Sequence, residues 1–90
     1  MDKEAIVQLK EQIKNIADTL YTGETIKGIA GMGEIIPELA LVATHIEDDE
    51  LKERYVNDVL APALEAMENK DGLLLADVIN YELMDILEEM

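Results

Sequence analysis

Apolar residues recur along this chain at spacings of three and four, the period of an amphipathic α-helix, in four successive stretches. In the first, Ile6, Leu9, Ile13, Ile16 and Leu20 follow a 3-4-3-4 seam, with Lys3, Lys10, Glu11, Lys14 and Asp18 mostly off it. Asp2 stands where an N-cap belongs, and Gly23 where a helix commonly ends.

The second stretch, 25–46, contains three glycines in six positions and a proline, yet it reads as one helix. Ile26, Ile29, Met32, Gly33, Ile36, Leu39, Ala40, Ala43 and Ile46 fall together on a helical wheel, and Ile35, Leu41 and Val42 widen the arc. The apolar part then covers roughly two-thirds of the circumference, the pattern of a helix with neighbours on several sides. Lys27, Gly31, Glu34, Glu38 and His45 share the remaining strip. A phosphate-cradling loop does not fit: the spacing is Gly28-x-x-Gly31-x-Gly33, no Gly-Lys-Ser/Thr follows, and no strand precedes it. Gly28 and Gly33 read instead as places where another backbone comes close. An interior proline costs about 3 kcal/mol in a helix. Pro37 therefore predicts a kink, or a break near 31–33 with Pro37 in the first turn of a new helix.

The third stretch opens on an acidic run, 47–50, in which Asp48 or Asp49 can cap. Leu51, Tyr55, Val59, Pro62 and Ala66 make one apolar row and Val56, Leu60, Ala63 and Met67 a second, with a bend expected at Pro62. After the turn 69–72, Asp71 caps a last helix whose main stripe is Ala76, Ile79, Leu83, Ile86 and Met90. Leu74, Val78 and Tyr81 lie on another side of it and Leu73, Met84 and Leu87 on a third, more apolar surface than one face of a small bundle needs.

The pattern predicts an all-α fold: a single domain over 1–90, an antiparallel bundle of about four helices with proline bends. Composition agrees. There is no Phe or Trp, so the core must come from aliphatic residues and Met. Cys and Ser are both absent, which removes disulfides, thiolate chemistry and a serine nucleophile. The longest nearly uncharged run, 35–46, is too short to span a bilayer, and the amino-terminal residues lack a signal-peptide core, so a cytoplasmic location is expected.

Charge sharpens the exclusions. The net charge is −14, of which −11 lies in residues 46–90. Such a field repels nucleic acid and anionic membranes, since binding to either relies on Lys and Arg. Solubility accounts for most of it, although an acidic face imitating nucleic acid is a further reading.

Little chemistry emerges. Glu38, His45 and Asp49 are the one metal-ligating set worth naming, but no Glu-x-x-His spacing supports it, since Val42 stands three residues before His45. A calcium loop around Gly72 would begin at Met67 and end at Val78, where carboxylates are required. An acyl-carrier reading of Asp18-Thr19-Leu20 lacks the serine. The three tyrosines read as packing residues with hydroxyls in water. No nucleophile–base spacing stands out, so the chain is read as non-enzymatic, with no cofactor.

The segments LYTGETIKG (20–28) and LLLADVINYELMDILEE (73–89) together resemble short, acidic, all-helical bacterial proteins of unassigned function, some of them similar in size and character to flagellar export chaperones. The resemblance implies a helical bundle and a secretion or motility context, and it carries over no catalytic residue. The functional expectation is a helical interaction module, an adaptor, assembly factor or small chaperone. It would form a homodimer and could hold an amphipathic or basic protein helix through Leu74, Val78 and Tyr81, with Asp77 and Asp85 as rim charges. The alternative is a metal- or small-ligand-binding bundle.

Overall fold

Each cap read from the sequence starts a helix in the computed structural model, which describes residues 2–90. Helix α1 is Lys3–Tyr21; the Asp2 carboxylate accepts the Ala5 N–H at 2.7 Å, and Gly23, at φ 91°, turns the chain out of it. Helix α2 is Thr25–His45. Helix α3 covers 49–68, and Asp48 caps it by accepting the Leu51 N–H at 2.9 Å. Helix α4 covers 72–89, capped by Asp71 on the Leu74 N–H at 3.1 Å. Connections this short reverse the chain after each helix, so the fold is an all-α antiparallel bundle.

Both prolines sit within continuous helices, and of the two expectations for Pro37 the break is not the one formed. Pro37 lies inside an unbroken α2, with no new helix starting there. Its missing N–H leaves the Gly33 carbonyl without its usual partner; both residues are exposed, so water can serve that oxygen. In α3 the chain does not stop and restart at Pro62. A π-helical stretch, Tyr55–Leu60, precedes it, and the Ala61 N–H reaches back five residues to the Val56 carbonyl. A π turn absorbs an additional residue. Beyond it Ala63, not Pro62, joins Ala66 in the core, and Val56 from the expected second row is exposed. Helix α4 has a matching π stretch, Val78–Leu83, and the two stretches pack against each other.

The core is aliphatic apart from Tyr55: Leu9, Ile13 and Leu20 from α1, Met32, Ile35 and Leu39 from α2, Val59 from α3, and Leu75, Ile79, Leu83 and Ile86 from α4. Fully burying one Leu or Ile contributes about 1.5–3 kcal/mol. The exposed Arg54–Glu89 ion pair, at 3.1 Å, is of the kind worth at most about 1 kcal/mol, so packing holds the fold.

Packing is uneven around the bundle. Helix α4 lies between α1 and α3, and α1 lies between α2 and α4, whereas the backbones of α2 and α3 approach less closely than the other neighbours. Helix α4 therefore buries a wide arc that includes Leu75, Val78 and Leu87. Of the apolar surplus assigned to this helix from the sequence, Val78 and Leu87 are used within the chain, whereas Leu73, Leu74 and Tyr81 stay exposed.

Helix α2 is the opposite case. Its wheel predicts neighbours on several sides, but its buried residues are Gly28, Met32, Ile35, Leu39 and Val42, a single narrow face. At Gly28 a neighbour does come close, but it is a side chain and not the expected backbone: a Cβ there would overlap Leu20 of α1. At Gly33 no neighbour comes close, since a Cβ there would meet nothing within 4 Å.

Candidate functional site

With roughly 100° between successive residues, the outward side of α2 can be mapped directly. Ile26, Ala30, Gly33, Pro37, Ala40, Leu41 and Thr44 are all exposed and occupy an arc of about 100° on that wheel. None of them carries a charge. The charged residues Lys27, Glu34 and Glu38, together with His45, are confined to a narrow strip beside this face. Ile26 is 75% exposed and Leu41 52%, in a chain that puts carboxylates on most of its outer surface.

One edge of this face runs into the gap between α2 and α3. The gap holds a cavity of about 120 Å³ lined only by apolar side chains, among them Ile36, Leu39 and Ala40 of α2, Leu60 and Leu64 of α3, and Ile79 of α4. The half-exposed Leu64 stands on its far rim. Below the cavity the Tyr55 ring is fully buried, and its hydroxyl donates to the Leu39 carbonyl at 2.7 Å. Burial raises the Tyr55 phenol well above its ordinary range, so the donor proton stays in place. The sequence reading left this hydroxyl in water; the structure corrects that, because Tyr55 points inward from the π stretch.

The second concavity is larger, about 590 Å³, and open, between the start of α1, the 46–48 turn and the end of α4. Lys3, Lys10 and His45 share it with Glu47, Asp48, Glu88 and Glu89. All are near the surface, and among the described residues no charged or polar side chain is buried against it. Opposite charges in open water neutralise one another and select no ligand.

The residues singled out on α4 are only partly on one surface. Leu74, Tyr81, Asp77 and Asp85 are exposed, but Val78 is 7% exposed and faces inward, because a helix packed on two sides has no free side at that position. Asp77 is not a free rim charge either. Its carboxylate accepts the Tyr21 hydroxyl at 2.6 Å, which ties α4 to α1. That bond, with partial burial, raises the Tyr21 pKa from 10.0 to about 12.

Glu38, His45 and Asp49 are not brought together, and among the described residues no group of three or more potential ligands is placed to hold a metal ion. The His45 Nδ1 lies 2.9 Å from the carbonyl oxygen of Leu41 in its own helix, the geometry of a ring N–H donor. No helix among the described residues is long and apolar enough to cross a membrane.

The uncharged face of α2 is the feature that sequence reasoning missed. The signal was available: the excess width of the apolar arc was read as neighbours within the chain, and the chain does not supply them.

A family model described as a domain of unknown function matches residues 3–90. No curated protein and no solved structure matches the chain.

Proposed function

We propose that this chain, which belongs to the DUF8042 family, is a non-enzymatic interaction module whose contact surface is the outward face of α2. One observation carries the reading. A helix with the composition of one packed on several sides is covered on one side only, and the uncovered side is free of charge in a chain of net charge −14. Solubility favours charge at such positions, and Ile26, Ala40 and Leu41 forgo it. An adaptor, assembly factor or small chaperone has use for such a face.

The face of α4 considered first is less suited. Leu74 and Tyr81 are exposed, but Val78 is inside and Asp77 is engaged with Tyr21, so the apolar patch there is interrupted.

The test is site-specific photo-crosslinking of the full chain in the cells that make it. A benzophenone side chain at Leu41, on the uncharged face and half-exposed, should give discrete adducts that mass spectrometry can identify. The same group at Glu11, exposed on α1, should give none. Equal labelling at the two positions, or none at Leu41, would remove the proposal.

A further inference from the structure

The surface just described fits a copy of itself. We infer that two chains pair through α2, antiparallel, about a two-fold axis near Gly33, with Ile26 of each seated at the mouth of the other's α2–α3 cavity. This rests on the assignment of the α2 face as a contact surface and adds the occupant.

Three observations point to a second copy. The first is register. Ile26 and Ala40 stand seven residues to either side of Gly33, close to two full turns and about 10.5 Å along the axis. A two-fold axis at Gly33 therefore places the partner's Ile26 over Ala40, which lines the cavity. A two-fold interface requires one surface to hold both projection and recess, and this face does. The most exposed large apolar side chain among the described residues lies on one side of Gly33, and an apolar cavity of about 120 Å³ lies on the other.

The second observation is Gly33 itself. A glycine within a helix is less favourable than alanine by about 1 kcal/mol. No neighbouring element of the chain needs the gap, since a Cβ there would meet nothing within 4 Å. A crossing helix from outside does require it, because only the absence of a side chain lets two backbones come close.

The third is charge. Two chains of −14 repel wherever their acidic faces meet. The outward face of α2 brings no carboxylate against another. A basic helix, the other occupant to consider, would gain nothing on a face with no acid to pair with, and would be drawn to the acidic surfaces elsewhere.

The experiment is light scattering coupled to size-exclusion chromatography over a range of concentrations. The wild-type chain should give twice its 10.0 kDa mass. Ile26→Glu should halve that mass with the helical circular dichroism unchanged, since the site is exposed. Leu74→Glu, on the α4 face, should leave the dimer intact. Register is tested separately in a chain without native cysteine. Under mild oxidation a mixture of Ile26→Cys and Ala40→Cys chains should cross-link one variant to the other. A mixture of Ile26→Cys and Thr44→Cys chains, the second substitution on the same face but four residues beyond Ala40, should not. A wild type that stays monomeric at every concentration would overturn the inference, as would a dimer broken by Leu74→Glu but not by Ile26→Glu, or equal cross-linking of Ile26→Cys in the two mixtures. A monomer that still gives adducts to a different protein from Leu41 would overturn the second copy while leaving the contact surface standing.

Discussion

The Tyr55 hydroxyl donates to the carbonyl of Leu39 across the widest gap in the bundle, and among the described residues no other side-chain hydrogen bond joins α2 to α3. The carbonyl belongs to a helix that has lost one internal bond at Pro37, and the phenol comes from the π stretch of the facing helix. A single polar contact thus ties α2 to α3 where their backbones lie apart.

Tyr55→Phe keeps the ring and removes the tie. A buried hydrogen bond contributes about 0.5–1.5 kcal/mol net. For a chain of this size each kcal/mol corresponds to about 4–8 °C in melting temperature. The variant should therefore unfold at lower temperature by a few degrees, with faster amide exchange in the second half of α2. Unchanged exchange there would mean that the recess is held by packing alone.

The two tested glycines of α2 should respond in opposite directions. Gly28→Ala drives a methyl into Leu20 and should destabilise by about 1–3 kcal/mol, the usual effect of overpacking. Gly33→Ala meets open space and should stabilise the isolated chain by about 0.5–1 kcal/mol through helix propensity. Urea denaturation in dilute protein measures both. Gly33→Ala should also weaken self-association, a combination that a purely internal role for the glycine would not produce.

Tyr21 offers a pH test. Its pKa is raised from 10.0 to about 12, chiefly by its hydrogen bond to Asp77. A raised folded-state value favours the protonated phenol in the native chain. The stabilisation is therefore complete below pH 10, where the unfolded chain would titrate, and is lost as pH rises toward about 12. Phenolate absorbance should show this late ionisation, and Asp77→Asn should bring it back toward 10.0. A Tyr21 titration unaffected by that substitution would show that the bond is not formed in solution.

Salt should distinguish the two kinds of partner. Screening shortens from about 30 Å at 0.01 M salt to about 8 Å at 0.15 M. Two like-charged copies meeting on an uncharged face should associate more tightly as salt rises. A basic helix held by the acidic surfaces should associate less tightly. Sedimentation of the purified chain at both salt concentrations gives the sign for the first case.

The legible parts of this structure are those written in local chemistry. Asp2, Asp48 and Asp71 accept backbone N–H groups where short acidic caps should, and Gly23 leaves its helix with positive φ. Of the stripe Ala76, Ile79, Leu83, Ile86 and Met90, the first four reach the core as their spacing implies, and Met90, at the end of the helix, stays exposed. Leu75 and Val78 were not placed there, because a wheel shows one helix at a time and cannot register that α4 packs on two sides. The same blindness affected α2, whose wide apolar arc says how much surface should be covered and not by what. The π stretches left no trace in the pattern, because one additional residue in a turn resembles ordinary scatter in a period of 3.6.

Those stretches give chain length some slack. Each holds a single residue more than an α-helical path would, at the same level in two touching helices. Deleting one residue from 55–60 would remove that surplus and restore α geometry there, leaving everything after it in its present rotation. Ala63 and Ala66 would stay in the core, and Leu64 would stay on the far wall of the recess. The same deletion in α1, which holds no surplus, would instead turn everything after it by roughly 100° relative to its neighbours.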